Sequence, residues 1–116
     1  MEFREYRGLT RDKKMVFGSL IYDAPFYTIR VNKDLYYDVF PETVGQWTGC
    51  YDSNNVKIFE GDIIDLSGYR HLVEFDAPYY EAVRLARDYS YILLKYDDGK
   101  IIGNIYEDKW ILDLNQ

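Results

Sequence analysis

The sequence predicts a mostly β protein, and three observations carry that prediction. Aromatic residues make up 18% of the chain, with 13 tyrosines among them, and Tyr and Phe favour strands. Turn-forming residues recur at short, fairly regular intervals, which is the spacing of an all-β fold. Near the C-terminal end two apolar runs flank Asp97-Asp98-Gly99, and Asp-Gly favours the type I′ turn whose twist suits antiparallel strands.

Taken in order, Phe3 to Arg7 reads as a strand and Gly8 to Asp12 as a turn. Lys14 to Tyr22 is a second strand, broken by Asp23-Ala24-Pro25 because Pro cannot donate to a ladder. Phe26 to Val31, the turn Asn32-Lys33-Asp34 and Leu35 to Phe40 complete an N-terminal meander over residues 1–40. Val44 to Thr48 and Val56 to Phe59 flank Asp52-Ser53-Asn54-Asn55, whose side chains make turns and tolerate positive φ. Gly61-Asp62 starts a corner into Ile63-Ile64, Gly68 turns the chain, and Leu72 to Phe75 is a strand. There the period changes. Asp76-Ala77-Pro78 has the form of an N-cap with Pro in the first turn. Tyr79, Ala82, Val83 and Ala86 then recur at i, i+3, i+4 and i+7, predicting a short helix from about Pro78 to Arg87, the one helix expected. Tyr91 to Tyr96 and Lys100 to Tyr106 form the closing hairpin, and Trp110-Ile111-Leu112 is apolar enough to dock on the body. No internal repeat and no linker-like shift in composition stands out.

At 116 residues the chain has the length of one domain, able to bury roughly two thirds of the surface its unfolded form exposes. A single cysteine, Cys50, has no partner within the chain, which sets a reducing, intracellular setting as the expectation. No run of ~18 apolar residues offers a membrane span, and Met1 to Arg7 has no signal-peptide core. A cytoplasmic protein is expected, with no membrane partner. The net charge is −6 and uneven: residues 1–14 hold five Lys and Arg against three Asp and Glu, so the rest carries −8. An acidic body opposes phosphate binding over the whole surface, while a small basic patch at the N-terminus remains allowed.

Pro41-Glu42-Thr43-Val44-Gly45-Gln46-Trp47-Thr48-Gly49, followed by Ile58-Phe59-Glu60-Gly61-Asp62-Ile63, resembles the centre of the YopX family of small phage and prophage proteins. Phe3 to Gly8, Val16-Phe17-Gly18-Ser19-Leu20 and Gly103-Asn104-Ile105-Tyr106-Glu107 are similar to further blocks of that family in the same order. The resemblance spans residues 3 to 107. Asn55 departs from it, standing where a Gly often sits, and Tyr79 to Tyr91 has no clear counterpart. What the resemblance implies is one β domain with an SH3-like barrel over residues 41–112, a phage or prophage origin, expression inside a bacterial host cell and no cofactor. It implies no particular chemistry.

The residues themselves argue for binding over catalysis. A nucleophilic Cys50–His71 pair would need hydrogen-bond reach and a third, orienting group, and nothing in the sequence indicates either. A zinc site lacks ligands. Glu42, Glu60, Asp62 and Asp65 each have a local use at a turn or corner. Asp52 to Asn55 is similar to the opening of a calcium loop, but the closing twelfth position is Ile63. The glycines fall in no phosphate-cradling spacing. No catalytic or metal-ligating residue is therefore assigned.

Aromatic surplus carries the binding signal. Trp47, Tyr51, Tyr69, Tyr79 and Tyr80 fall in or near expected loops, where they could stack on bases or grip an extended peptide. The leading expectation is a non-enzymatic accessory protein acting by protein–protein contact, with a host or phage protein or with copies of itself, since unpaired strand edges must be covered. The alternative is a nucleic-acid-binding regulator using Arg4, Tyr6, Arg7, Arg11, Lys13 and Lys14.

Overall fold

A computed structural model of the chain describes residues 5–85, 91–94 and 99–108. Among them the fold is mostly β, with two antiparallel sheets and a single short 3-10 turn, Pro41–Thr43. The chain divides into two compact units, residues 1–47 and 48–116, with the boundary inside one strand.

The first unit is built from β1 (Tyr6–Leu9), β2 (Met15–Asp23), β3 (Phe26–Asn32), β4 (Leu35–Val39) and the start of β5 (Gly45–Tyr51). Hydrogen-bonded order is β4-β3-β2-β1-β5, antiparallel throughout. One face of this meander buries Val16, Ile29 and Val39, with Tyr6, Leu20, Tyr27, Tyr37 and Val44 packed against them. The sheet curls until the end of β4 meets the end of β1. There Thr10 bridges Val39 and the Phe40 N–H donates to the Leu9 carbonyl at 2.9 Å. Buried Thr43 fastens the same corner, accepting from the Leu9 N–H at 2.9 Å and donating to the Phe40 carbonyl at 2.6 Å.

The second unit contains the rest of β5, β6 (Lys57–Phe59), β7 (Asp62–Leu66), β8 (Tyr69–Asp76), β9 (Tyr79–Arg84), β10 (Tyr91–Leu93) and β11 (Lys100–Asn104). Five of these strands form a sheet in the order β10-β9-β8-β7-β11. Its core is Ile58, Ile64, Val73 and Ala82, joined by Cys50, Leu66, Leu94 and Ile101. Asp52, 2% exposed, ties the β5–β6 turn to β11. Its Oδ1 accepts from the Asn54 and Val56 N–H groups, both at 2.9 Å, and its Oδ2 from the Ile101 N–H at 3.1 Å. The expected turn at 52–55 is present, with Asn55 at φ 63°. No helix among the described residues is long and apolar enough to cross a membrane.

Four expectations are corrected. Among the described residues the helix expected over Pro78–Arg87 is instead β9, paired residue by residue with β8 from His71↔Arg84 to Asp76↔Tyr79. Asp76↔Tyr79 leaves Ala77-Pro78 as a two-residue loop, and such a loop joins antiparallel strands. A stretch of six residues is also too short for period 3.6 to be told from period 2. The closing hairpin is not one: β10 pairs with β9, and β11 pairs with β7. The apolar arms find buried neighbours on two different strands instead of each other. Gly8 lies within β1, not in the turn that follows. Finally, a local repeat exists. Tyr22-Asp23-Ala24-Pro25-Phe26-Tyr27 and Phe75-Asp76-Ala77-Pro78-Tyr79-Tyr80 form the same hairpin tip, with tilted rings in contact across it at 4.7 Å (Tyr22–Tyr27) and 5.0 Å (Phe75–Tyr80) between centres. The described strands do not close into a barrel. Phe3, Arg87, the Asp97-Asp98 turn and the Trp110-Ile111-Leu112 tail lie outside the described residues.

Candidate functional site

In the second unit two segments distant in sequence meet. Phe59-Glu60-Gly61-Asp62 turns from β6 into β7, held by Asp62 Oδ2, which accepts from the Phe59 N–H at 2.7 Å. Asn104-Ile105-Tyr106-Glu107 turns out of β11, held by buried Asn104. Its Oδ1 accepts from the N–H groups of Tyr106 at 3.0 Å and Glu107 at 2.9 Å, and its Nδ2 donates to Glu107 Oε1 at 2.8 Å. The second is an Asx turn, and in both a short polar side chain takes the place of a main-chain partner. One main-chain bond joins the corners, Ile105 N–H to the Gly61 carbonyl at 3.0 Å, and another ties the first to β8, Gly61 N–H to the Val73 carbonyl at 2.9 Å.

Gly61 sits at φ +93°, and a Cβ there would lie 2.7 Å from Tyr106 Cε2. Only glycine lets the tyrosine ring lie against the corner at that angle. The result is an open cavity of about 260 Å³ lined by Glu60, Gly61, Glu74, Phe75, Ile105 and Tyr106, with Val73 at its base. Phe75 lies on the same face of β8 as buried Val73, whereas Glu74 between them projects from the other face of the strand.

Charge accumulates on the face of β8 and β9 opposite Phe75 and Tyr80. Glu74 stands directly across the ladder from Glu81, a like-charge pairing that works against the sheet. Burial pushes the Glu81 carboxyl above its usual range, and the Asp76 and Glu74 carboxylates push the same way.

The sequence-predicted aromatics are distributed over several places. Trp47 and Tyr51 are half-buried in β5, in the first and second units respectively. Tyr69 is exposed at the β7–β8 turn, with the Arg84 guanidinium 3.7 Å from its ring centre. Tyr79 is 58% exposed at the β8–β9 tip, and the half-buried Tyr80 ring contacts that of Phe75 at a tilt of 53°. Tyr79 and Tyr80 are consecutive in β9 and leave opposite faces of it, Tyr51 and Tyr69 lie on other strands of the second unit, and Trp47 belongs to the first unit.

Of the basic set, Arg4 lies outside the described residues. Arg7 is only 4% exposed, and Tyr6 packs against the first unit's core. Arg11 lies over the Phe40 ring at 5.2 Å, while Lys13 and Lys14 are exposed in the turn between β1 and β2. His71 is buried in β8, its Nδ1 donating to the Tyr69 carbonyl at 2.9 Å, and Cys50 packs on the second unit's core.

Sequence reasoning missed Glu60, Glu74, Phe75 and Tyr106 as a group. The available signal was the resemblance itself, because Glu60-Gly61 and Ile105-Tyr106 belong to two of its blocks. The chain matches the YopX protein family over residues 2–113. It belongs to the YopX family. The match spans nearly the whole chain, so both corners that build the cavity are YopX-family segments. No curated protein matches the chain.

Proposed function

We propose that this YopX-family chain is a non-enzymatic accessory protein of a phage or prophage, acting in the host cytoplasm by protein–protein contact and assembling with copies of itself. One observation carries the self-association. On the face of β2, β3 and β4 opposite the first unit's core, Phe17 (43% exposed), Ile21 (40%), Phe26 (59%) and Tyr36 (54%) stand outward, interleaved with Ser19, Thr28, Asp38 and Arg30, which lies over the Tyr36 ring. Exposed apolar surface of this kind favours association. Residues 1–47 carry seven Lys and Arg against seven Asp and Glu, so two such faces meet without net like-charge repulsion. The SH3-like barrel over residues 41–112 belongs to the same proposal. It is supported by the β7–β8–β9 meander, by β11 returning beside β7 and by the glycine corner at Gly61.

Light scattering at micromolar concentration tests the reading. The expected mass is a multiple of 13.9 kDa, and Ile21→Asp, a change on the exposed face, is expected to return the protein to a single chain. A wild-type mass of one chain overturns self-association, and an unchanged Ile21→Asp assembly removes this face as its cause.

A further inference from the structure

We propose that Arg30 and Asp23 set the orientation in which two copies of the chain meet, the Arg30 guanidinium of each copy pairing with Asp23 of the other. This rests on the self-association proposed above and adds the residues that make it specific. The ladder register divides the exposed face of β2, β3 and β4 into rows. Arg30 stands in one row with Tyr36, Thr28 and Asp38 belong to the next, and Asp23 and Phe26 close the hairpin beyond them. Rows on one face are two residues apart, so Arg30 and Asp23 are separated by roughly 13 Å and do not reach each other within a chain.

Both groups are prepared for a contact. Arg30 Nε donates to the Asn32 carbonyl and its Nη2 to the Lys33 carbonyl, each at 3.1 Å, and the guanidinium lies 5.6 Å from the Tyr36 ring centre. These contacts fix its place and leave further N–H donors open. Asp23 is exposed and has no hydrogen-bond or ion-pair partner among the described residues. Directly across the ladder from it stands Phe26, itself well exposed. A carboxylate next to an open ring offers a guanidinium a partner for its edge and another for its face. Asp38 is engaged, its Oδ1 accepting from the Thr28 hydroxyl at 3.2 Å.

The charges then choose between two ways of stacking the faces. With strands reversed about the middle row, each Arg30 lies over the Asp23–Phe26 row of the other copy. That gives two unlike-charge contacts against one approach of Asp38 to its own counterpart. With strands parallel about β3, Arg30 meets Arg30 and no unlike pair forms. Apolar attraction is non-directional, so the like-charge contact is what excludes the wrong arrangement.

The test is light scattering of the full chain over a micromolar concentration series. Arg30→Glu alone and Asp23→Arg alone should each weaken assembly about tenfold or more, because each sets like charges together. An equimolar mixture of the two variants should assemble within about threefold of the parent, since every Arg30–Asp23 position then holds opposite charges again. A role confined to one chain is not restored by mixing. Circular dichroism of each variant, expected to match the parent, separates lost assembly from lost fold. Assembly unchanged in Asp23→Arg, or a mixture no tighter than either variant alone, overturns this pairing and leaves self-association standing. A parent mass of one chain at every concentration overturns both.

Discussion

Replacing Asp52 by Ala should be among the costliest single changes in the second unit. The carboxylate accepts three main-chain N–H groups, from Asn54, Val56 and Ile101, and its residue is 2% exposed. A hydrogen bond to a charged group contributes about 1.5–3 kcal/mol, and a buried donor left without a partner costs about 1–3 kcal/mol. Asn54 and Val56 are exposed, so water can replace the carboxylate there, and about 1 kcal/mol each is a fair figure. The Ile101 N–H, on a half-buried strand, should cost about 2 kcal/mol. The change also removes a desolvated charge, which offsets part of the loss. A net loss of about 3–4 kcal/mol follows, against a total stability of roughly 5–15 kcal/mol. With a urea slope of about 1–3 kcal/mol per molar, the midpoint falls by about 1–4 M. Asp52→Asn provides the internal check. Its carbonyl oxygen can still serve the Asn54 and Val56 donors, while its amide turns a donor toward the Ile101 N–H, so it should lose about half as much as Ala. Urea unfolding followed by circular dichroism reads the midpoint, and hydrogen exchange at Ile101 reads the third bond directly. An Ala variant costing under about 1 kcal/mol, or an Asn variant indistinguishable from Ala, would refute the assignment of these three bonds.

Two further outcomes follow from the same unit. Gly61→Ala should lose about 2–4 kcal/mol, from the left-handed backbone and the displaced ring together. In a Tyr106→Ala background part of that loss should disappear, a coupling that a double-mutant cycle in urea measures. The raised Glu81 carboxyl makes the opposite kind of prediction. The folded state holds that proton more tightly than the unfolded chain, so stability from this group is present at acid pH and lost as pH rises through the raised value. Glu81→Gln should therefore melt higher than the parent at pH 7, and the two curves should converge below the ordinary carboxylate range. A gap that persists unchanged in acid would assign the effect to something other than the charge.

How much was legible depended on whether a feature was encoded locally. Asn32-Lys33-Asp34, Asp52 to Asn55 and Ser67-Gly68 are turns because of backbone angles and side-chain bonds within a few residues, so the sequence announces them. Strand partners are another matter. Tyr91–Leu93 and Lys100–Asn104 are apolar enough that alternation does not choose a register, and the structure seats them on β9 and β7. The failed helix combined both problems, since Pro78 fits a helix start and a hairpin loop equally well until the partner strand is known. The candidate site was the least legible part. Its walls come from Glu60, from Phe75 and from Tyr106, three points on the chain that no spacing rule connects.

The family-bearing segments divide into two kinds of residue, and the division bears on function. Thr43 serves the Leu9 N–H and the Phe40 carbonyl, Thr48 the Ile58 carbonyl, Asp52 the β5–β6 turn, Asp62 the Phe59 N–H and Asn104 the turn after β11. Each places a polar side chain on main-chain groups that strand pairing leaves over, which is what a tightly turned β fold must do with buried donors and acceptors. Such residues identify the fold and carry no chemistry of their own. Glu60 and Tyr106 sit beside two of them, Asp62 and Asn104, and line the open cavity. The turns aim these two side chains at one volume. A fold needing only the corner could place many residues at either position, provided Gly61 stayed. That a glutamate and a tyrosine line the cavity at a corner whose glycine is held both by its positive φ and by contact with the Tyr106 ring makes this cavity the place where family geometry and binding chemistry coincide.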